Sequence, residues 1–264
     1  MQTYDVMFCD TCVGGSTVAA RLATARAGLR GLYLADYAVN PLGVKPRDAV
    51  QAALERWVRL AVPRAKTLIV ACNTASVLLR HCPQVQREAA EAGLHVVSMV
   101  DFLERHLAAS PAPLAGQRVC LMGTRFTVSQ PIYRDLLKSA GAREVVPLGA
   151  TRTEGVIARL RHETAVGRQE IVAEIGETIR TCDAVILACT LFPLIGDLIR
   201  EVNPSCTLHD PGAGVVDAFP FARAGGGQNR LTVALSGAAL TPADLERTGT
   251  ALFPGWQIEE IVTL

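Results

Sequence analysis

The sequence predicts an α/β fold of two similar lobes, each built on a mainly parallel sheet, and three observations predict it. Short apolar runs alternate with helix-length amphipathic segments along the chain, the pattern of strands joined by helical crossovers. Several of the runs are apolar without interruption, as strands buried on both faces are. The turns that follow the first and third runs also recur, 113 residues later (Asp10 to Gly123) and 117 residues later (Cys72 to Cys189).

Nine runs read as strands: "YDVMFCD" from residue 4, "GLYLAD" from 31, "TLIVAC" from 67, "LHVVSMV" from 94, "RVCLMG" from 118, "EVVPLG" from 144, "AVILAC" from 184, "CTLHDP" from 206 and "RLTVALSG" from 230. Between them lie helical patterns such as "PRDAVQAALERWVRLAV" and "RQEIVAEIGETIRTC". Pro46 opens the first of these, where its missing N–H costs nothing. "ASPAPLAG", 109–116, reads as a linker between lobes, and "FARAGGGQNR", 221–230, as a surface loop before the last strand. The expected division is a first lobe of residues 1–97 with 209–264 and a second of 98–208.

Composition narrows the functional classes. Apolar residues make up 50% and charged residues 19% of the 264 residues, which is a packed globular balance. The formal net charge of +1, with Lys and Arg spread along the chain, gives no footprint for nucleic acid. No stretch nears the roughly 18 apolar residues of a membrane span. The N-terminus lacks a basic region followed by an apolar core, so no secretory signal is expected. The chain is therefore expected in the cytoplasm, with its eight cysteines as free thiols.

In parallel sheets ligands sit at the carboxyl ends of strands, so the residues after each run matter. "MFCDTCVGGSTV" places Asp10 and Thr11 there, and "CLMGTRFTVSQPIY" places Gly123 and Thr124. "TLIVACNTASVLL" places Cys72, Asn73 and Thr74, and "AVILACTLFPLI" places Cys189 and Thr190. Each of these two cysteines precedes a helix-like segment, whose positive end is expected to lower the thiol pKa. Similar halves, each with a strand-end cysteine, suggest lobes related by a pseudo-twofold, with the thiols facing each other across a cleft. Two opposed thiols suit inversion of a carbon next to a carboxylate: one takes the proton from one face and the other returns it to the opposite face. Fixed dipoles must stabilise the carbanion-like transition state. Asn73, Thr74, Thr124 and Thr190 offer donors for that, and Asp10 offers a carboxylate for a substrate ammonium.

At this point a resemblance appears. "DTCVGGSTV", "ADYAVNPLGVKP", "LIVACNTAS", "MGTRFTVSQPIY" and "LACTLFPLI" resemble, in order and spacing, the motif series of the glutamate racemases in the cofactor-independent aspartate/glutamate racemase superfamily. The likeness runs from residue 4 almost to the end, including "LTVALSGAALTPADLERTGTALF". It implies two α/β lobes with the active site between them, and racemisation without pyridoxal phosphate or metal. Carried over by position, Cys72 and Cys189 are the acid/base pair, and Asp10 and Thr11 hold the substrate. Pro41, Leu42 and Gly43 line the pocket for the side-chain carboxylate. Asn73, Thr74, Thr124 and Thr190 bind the polar end. The implied partner is a small amino-acid or carboxylate substrate, and since relatives commonly dimerise, a homodimer is one expectation.

The chain departs from that pattern at several places. Leu191 stands where the family has a histidine after Cys-Thr, and Leu42 where it has a tyrosine between Pro and Gly. Gly149 and Ala150 stand where a glutamate is common, Thr11 replaces a serine, and Cys12 a glycine. Leucines at 42 and 191 disfavour a buried charge that lacks partners. Three readings therefore stay open: a divergent glutamate racemase, a racemase, isomerase or decarboxylase for a less polar carboxylate, and a weakened homologue that binds or regulates.

Cys9 and Cys12 spell C-x-x-C, yet no second pair with zinc spacing follows. Cys9 falls inside a strand pattern, which makes it a buried residue, while Cys12 is a candidate extra thiol at the cleft. Gly14-Gly15 needs only a tight turn, because no phosphate-binding motif accompanies it. The five histidines are scattered, and His209 with Asp210, after the "CTL" run, is a candidate to approach the cleft from a strand end. Trp57 and Trp256 read as core or interface anchors. Lys45 and Arg125 are either attractors of an anion or solvated surface.

Overall fold

A computed structural model of the chain describes residues 4–110, 112–219, 226–237 and 241–264. It holds ten strands among the described residues: β1 (Tyr4–Asp10), β2 (Arg30–Asp36), β3 (Ala65–Val70), β4 (His95–Ser98), β5 (Arg118–Gly123), β6 (Glu144–Gly149), β7 (Ala184–Ala188), β8 (Thr207–His209), β9 (Asn229–Ser236) and β10 (Trp256–Thr263). Every pairing is parallel. The protein is thus α/β, with two parallel sheets and helices on the crossovers.

Two compact units form, one from Met1–Asp101 with Val215–Leu264 and one from Phe102–Gly214. In the first, the strand order is β10-β9-β2-β1-β3-β4; in the second it is β6-β5-β7-β8. The four strands β2-β1-β3-β4 therefore have the order of β6-β5-β7-β8, taken in chain sequence. The recurrence at 113 and 117 residues is a repeat of topology, and β9 and β10 are an addition on the β2 side.

The first unit is organised around long apolar strands. Residues 6–10 of β1 are all buried, and β2 and β9 flank a core in which Phe8 packs edge-on against Trp256 and Tyr33 against Phe253. Trp256 donates its indole N–H to the carbonyl of Ala19 at 2.8 Å, so a polar handle does not cost its burial. Trp57 is fully buried on the helix Arg47–Ala61, which Pro46 precedes as N-cap. That helix places Val50, Ala53, Leu54, Trp57, Val58 and Ala61 on one face, the spacing of an amphipathic stripe.

One buried carboxylate ties three elements of this unit. Asp36, the last residue of β2, is 0% exposed. It accepts hydrogen bonds from the Arg56 guanidinium, from the Trp57 indole at 2.6 Å and from the Ser236 hydroxyl of β9 at 2.5 Å. A charge so deep is tolerable only when paired and fully hydrogen-bonded.

Two expectations about loops change. Of the expected linker 109–116, residue 111 lies outside the described residues; the others belong to the second unit, with Leu114 buried and the amides of Leu114 and Gly116 bonded to the carbonyls of Ala140 and Gly141. Burial of one leucine was enough to outweigh the Pro- and Ala-rich composition. Of the expected loop 221–230, residues 221–225 lie outside the described residues, Gly226 and Gln228 are exposed, and Asn229 already belongs to β9.

Candidate active site

The polar residues singled out in the sequence stand at the carboxyl ends of the strands of their own unit. In the first unit, Asp10 ends β1, and Cys72 follows the adjacent β3 by two residues. Adjacency of the two strands brings their ends together: the Thr11 hydroxyl lies 3.9 Å from the Cys72 sulfur. Asp10 is buried, and its carboxylate accepts the Thr11 amide on one oxygen and the Gly15 amide on the other, both at 2.6 Å. The acid thus folds the turn back on itself before the helix Ser16–Ala25. Gly15 has to be glycine, because a Cβ there would lie 2.8 Å from the Ala71 Cβ and 2.9 Å from the Tyr33 hydroxyl. Tyr33 donates to the carbonyl of Cys12 at 2.9 Å, and the Cys12 sulfur accepts the Gly14 amide at 3.3 Å.

Cys72 is the N-cap of the helix Asn73–Arg80, with Asn73 and Thr74 buried in its first turn. The expected lowering of its pKa is not what the surroundings give. Burial pushes the Cys72 thiol well up, the Asp10 carboxylate pushes it further, and the Ala75 amide and the Thr11 hydroxyl offset only part of this. Desolvation and a like charge outweigh the helix terminus. Cys72 rests as a thiol, within reach of a carboxylate.

Ser76 holds the backbone of this cysteine. Its hydroxyl bonds to the carbonyls of Cys72 at 2.7 Å and Val70 at 3.1 Å and accepts the Met99 amide at 3.0 Å. Leu42 is 2% exposed in a short 3₁₀ turn, Leu42–Val44, that packs on the helix Asn73–Arg80; Pro41 follows a cis peptide and is exposed, as is Lys45. Leu42 and Cys72 belong to one apolar cluster.

Tyr37 was not singled out by any motif. It opens the 3₁₀ turn Tyr37–Val39 directly after β2, beside β1. Its hydroxyl is buried and makes no hydrogen bond of normal geometry among the described residues. Burial, then Cys12, push this phenol up and Asp10 adds to the effect; a contact from the Val13 backbone, outside normal hydrogen-bond geometry, offsets only part of the rise, so the phenol stays neutral.

The second unit repeats the construction. Thr124 follows β5 and caps the helix Arg125–Ser129, its hydroxyl oxygen accepting the Thr127 amide at 3.1 Å. Cys189 follows the adjacent β7, and its carbonyl accepts the Phe192 amide at 3.0 Å. Cys189, Thr190 and Leu191 are all buried. Arg125 is exposed, and its stem lies across Gly149 at the end of β6. No carboxylate stands at 149 or 150; Glu154 lies in the first turn of the helix Thr151–Ala158 after β6, and burial pushes its carboxyl up. The sequence signal for it was an acid near a helix start, which is too common to single out.

Cys9 is fully buried within β1. His209, at the end of β8, faces His106 with 3.1 Å between Nδ1 and Nε2. None of the eight cysteines is in a disulfide. Among the described residues no group of three or more His, Cys, Asp or Glu could hold a metal ion, and no helix is long and apolar enough to cross a membrane.

Comparison with known proteins agrees with this layout. Residues 36–218 match the family described as Asp/Glu/hydantoin racemase. The chain is 26% identical to a glutamate racemase of Streptococcus equi subsp. equi (strain 4047) over 216 residues, 81% of this chain and 79% of that one. Its fold is similar to glutamate racemase isoform RacE1 of Bacillus anthracis, with a TM-score of 0.79 at 18% identity, over 98% of this chain and 97% of that one. It is similar as well to the glutamate racemase of Francisella tularensis subsp. tularensis SCHU S4, solved with D-glutamate, with a TM-score of 0.76 at 18% identity, over 100% and 98% of the two chains.

Proposed function

This chain belongs to the Asp/Glu/hydantoin racemase family, and from that premise we propose that it interconverts L- and D-glutamate with Cys72 and Cys189 as the two acid/base groups. The racemases it resembles make it an isomerase. The observation that carries the proposal is the repeated construction: a strand-end cysteine beside a strand-end threonine, once in each unit.

Racemisation needs two groups that address opposite faces of one α-carbon. In the proposed reaction Cys72, resting as a thiol, is set to deliver a proton. It becomes a base when the substrate ammonium reaches Asp10, because that positive charge offsets the carboxylate that now opposes the thiolate. Cys189 takes the complementary role, with Thr190 and Thr124 beside it and Glu154, whose carboxyl burial pushes up, in the helix that follows β6. Thr11, Asn73 and Thr74 bind the substrate's polar groups, and Pro41, Leu42 and Gly43 line its side-chain pocket. Tyr37 adds a neutral donor for a carboxylate, in place of the hydroxyl that position 42 lacks. D-glutamate made in the cytoplasm would serve peptidoglycan synthesis.

Proton NMR in deuterium oxide tests the proposal. L-glutamate should lose its α-proton signal and yield both enantiomers, and Cys72→Ala or Cys189→Ala should each abolish the inversion. L-aspartate and apolar amino acids run beside it. Exchange with an apolar amino acid and not with glutamate would assign the buried leucines at 42 and 191 to a less polar substrate; silence across all of them would overturn racemisation.

A further inference from the structure

The first unit holds a cavity that the proposed reaction does not use. Strand register sets two rows of side chains next to each other on one face of its sheet. Met7, Leu32, Thr232 and Glu260 run across β1, β2, β9 and β10, and Leu34, Ala234 and Val262 run across β2, β9 and β10. The helix Arg47–Ala61 joins this face in one apolar cluster through Leu54, Trp57 and Val58. Where that helix ends, Leu60, Arg64 and Leu264 complete with the two rows a cavity of about 190 Å³. It lies on the face of the sheet, not at the carboxyl ends of β1 and β3 where Asp10 and Cys72 stand.

The polar groups of this cavity are few and specific. Tyr4 donates its hydroxyl proton to Thr232 Oγ1 at 3.2 Å, and the Thr232 hydroxyl keeps a proton of its own to give. The Arg64 guanidinium gives one N–H to the carbonyl of Leu60 at 3.0 Å. Neither Arg64 nor Glu260 is in an ion pair among the described residues. One cation and one anion, each without a counter-charge, therefore line the same apolar cavity.

From this arrangement we infer that the cavity binds a free α-amino acid with an apolar side chain, of about the size of leucine. Size sets the first limit: the cavity is smaller than the roughly 300 Å³ at which pockets for drug-sized molecules begin. The apolar floor of Leu34, Ala234 and Val262 takes the side chain, which gains by leaving water. Charge sets the second limit. A fatty acid would bring its carboxylate against Glu260, and an alkylamine would bring its ammonium against Arg64. Only a guest that carries both charges pairs both walls as it covers them. The Thr232 hydroxyl supplies a further donor to the guest's carboxylate. The site depends on no assumption about the substrate of the reaction, because it shares no residue with the proposed substrate site.

The test uses the full chain with isotope-labelled methionine methyl groups, read by NMR. L-leucine should shift the Met7 methyl signal saturably and leave the signals of Met99 and Met122, which lie outside the cavity, in place. Isocaproate, which is leucine without the ammonium, and isoamylamine, which is leucine without the carboxylate, should each bind at least about tenfold more weakly, the worth of one hydrogen bond to a charged group. Glycine, with no side chain, should give no shift. Arg64→Gln and Glu260→Gln should each weaken leucine by about tenfold or more, and Ala234→Phe, which fills the cavity, should abolish the response. No saturable shift at Met7 would overturn the inference, as would shifts at Met99 or Met122 instead, or isocaproate binding as tightly as leucine. A Met7 signal that moves with protein concentration alone would assign the cavity to a second copy of the chain and overturn it too. The wild-type titrations decide the matter even if a variant fails to fold.

Discussion

Cys72 concentrates the residue-scale physics of the proposed site. Its thiol is raised by burial first and by the Asp10 carboxylate second, so the thiolate gains population as pH rises. α-Proton abstraction by Cys72 is therefore expected to climb with pH across the range 7 to 9, and Asp10→Asn should shift that rise to lower pH. Single-turnover exchange of L- and D-glutamate in deuterium oxide, followed separately, reads the effect. Tyr37 gives a second residue-scale prediction. Its hydroxyl is buried without a well-formed hydrogen bond, which normally costs about 1–3 kcal/mol. Tyr37→Phe should leave Tm unchanged or slightly higher while raising KM for glutamate roughly 10- to 100-fold, the worth of one hydrogen bond to a charged group. An unchanged KM would make the hydroxyl a packing accident.

At the scale of elements, the Asp36 cluster decides how the strand ends are held. One carboxylate joins the end of β2 to the helix Arg47–Ala61 and to β9. Removing its charge leaves Arg56 unpaired and weakens three bonds at once. Asp36→Asn is expected to cost about 3–5 kcal/mol, read as a lower urea midpoint with little change in slope. An effect below about 1 kcal/mol would mean that water replaces the lost bonds. The elements also show where sequence patterns lose their grip. β1 and β5 are legible to the residue because burial on both faces leaves a continuous apolar run. β10, "WQIEEIVT", was not read as a strand: it lies at the sheet edge, and a register shift between Ile258 and Glu260 breaks its alternation.

For the whole molecule, acid is an expected weak point. His209 is lowered by burial and then by His106. A histidine whose folded pKa lies below its unfolded one contributes stability that is present above about pH 6.5 and lost as pH falls. Tm should accordingly drop between pH 6.5 and 5, and His209→Gln should flatten that drop; an equal slope in the variant would assign acid sensitivity to other groups.

The sequence by itself determined the class of the fold, the nine apolar strands, the repeated strand ends and the polar residues standing on them. These are local properties: a continuous apolar run and the residue that closes it are neighbours in the chain. Only the tertiary structure decided which ends meet and what they do to each other. β1 and β3 are adjacent although some sixty residues separate Thr11 from Cys72, and burial, followed by the Asp10 carboxylate that this adjacency brings near, turns an expected lowering of a thiol pKa into a rise. Glu154, Tyr37 and Ser76 are illegible in the sequence for the same reason. Electrostatics and desolvation act through space, at distances that only the folded chain sets.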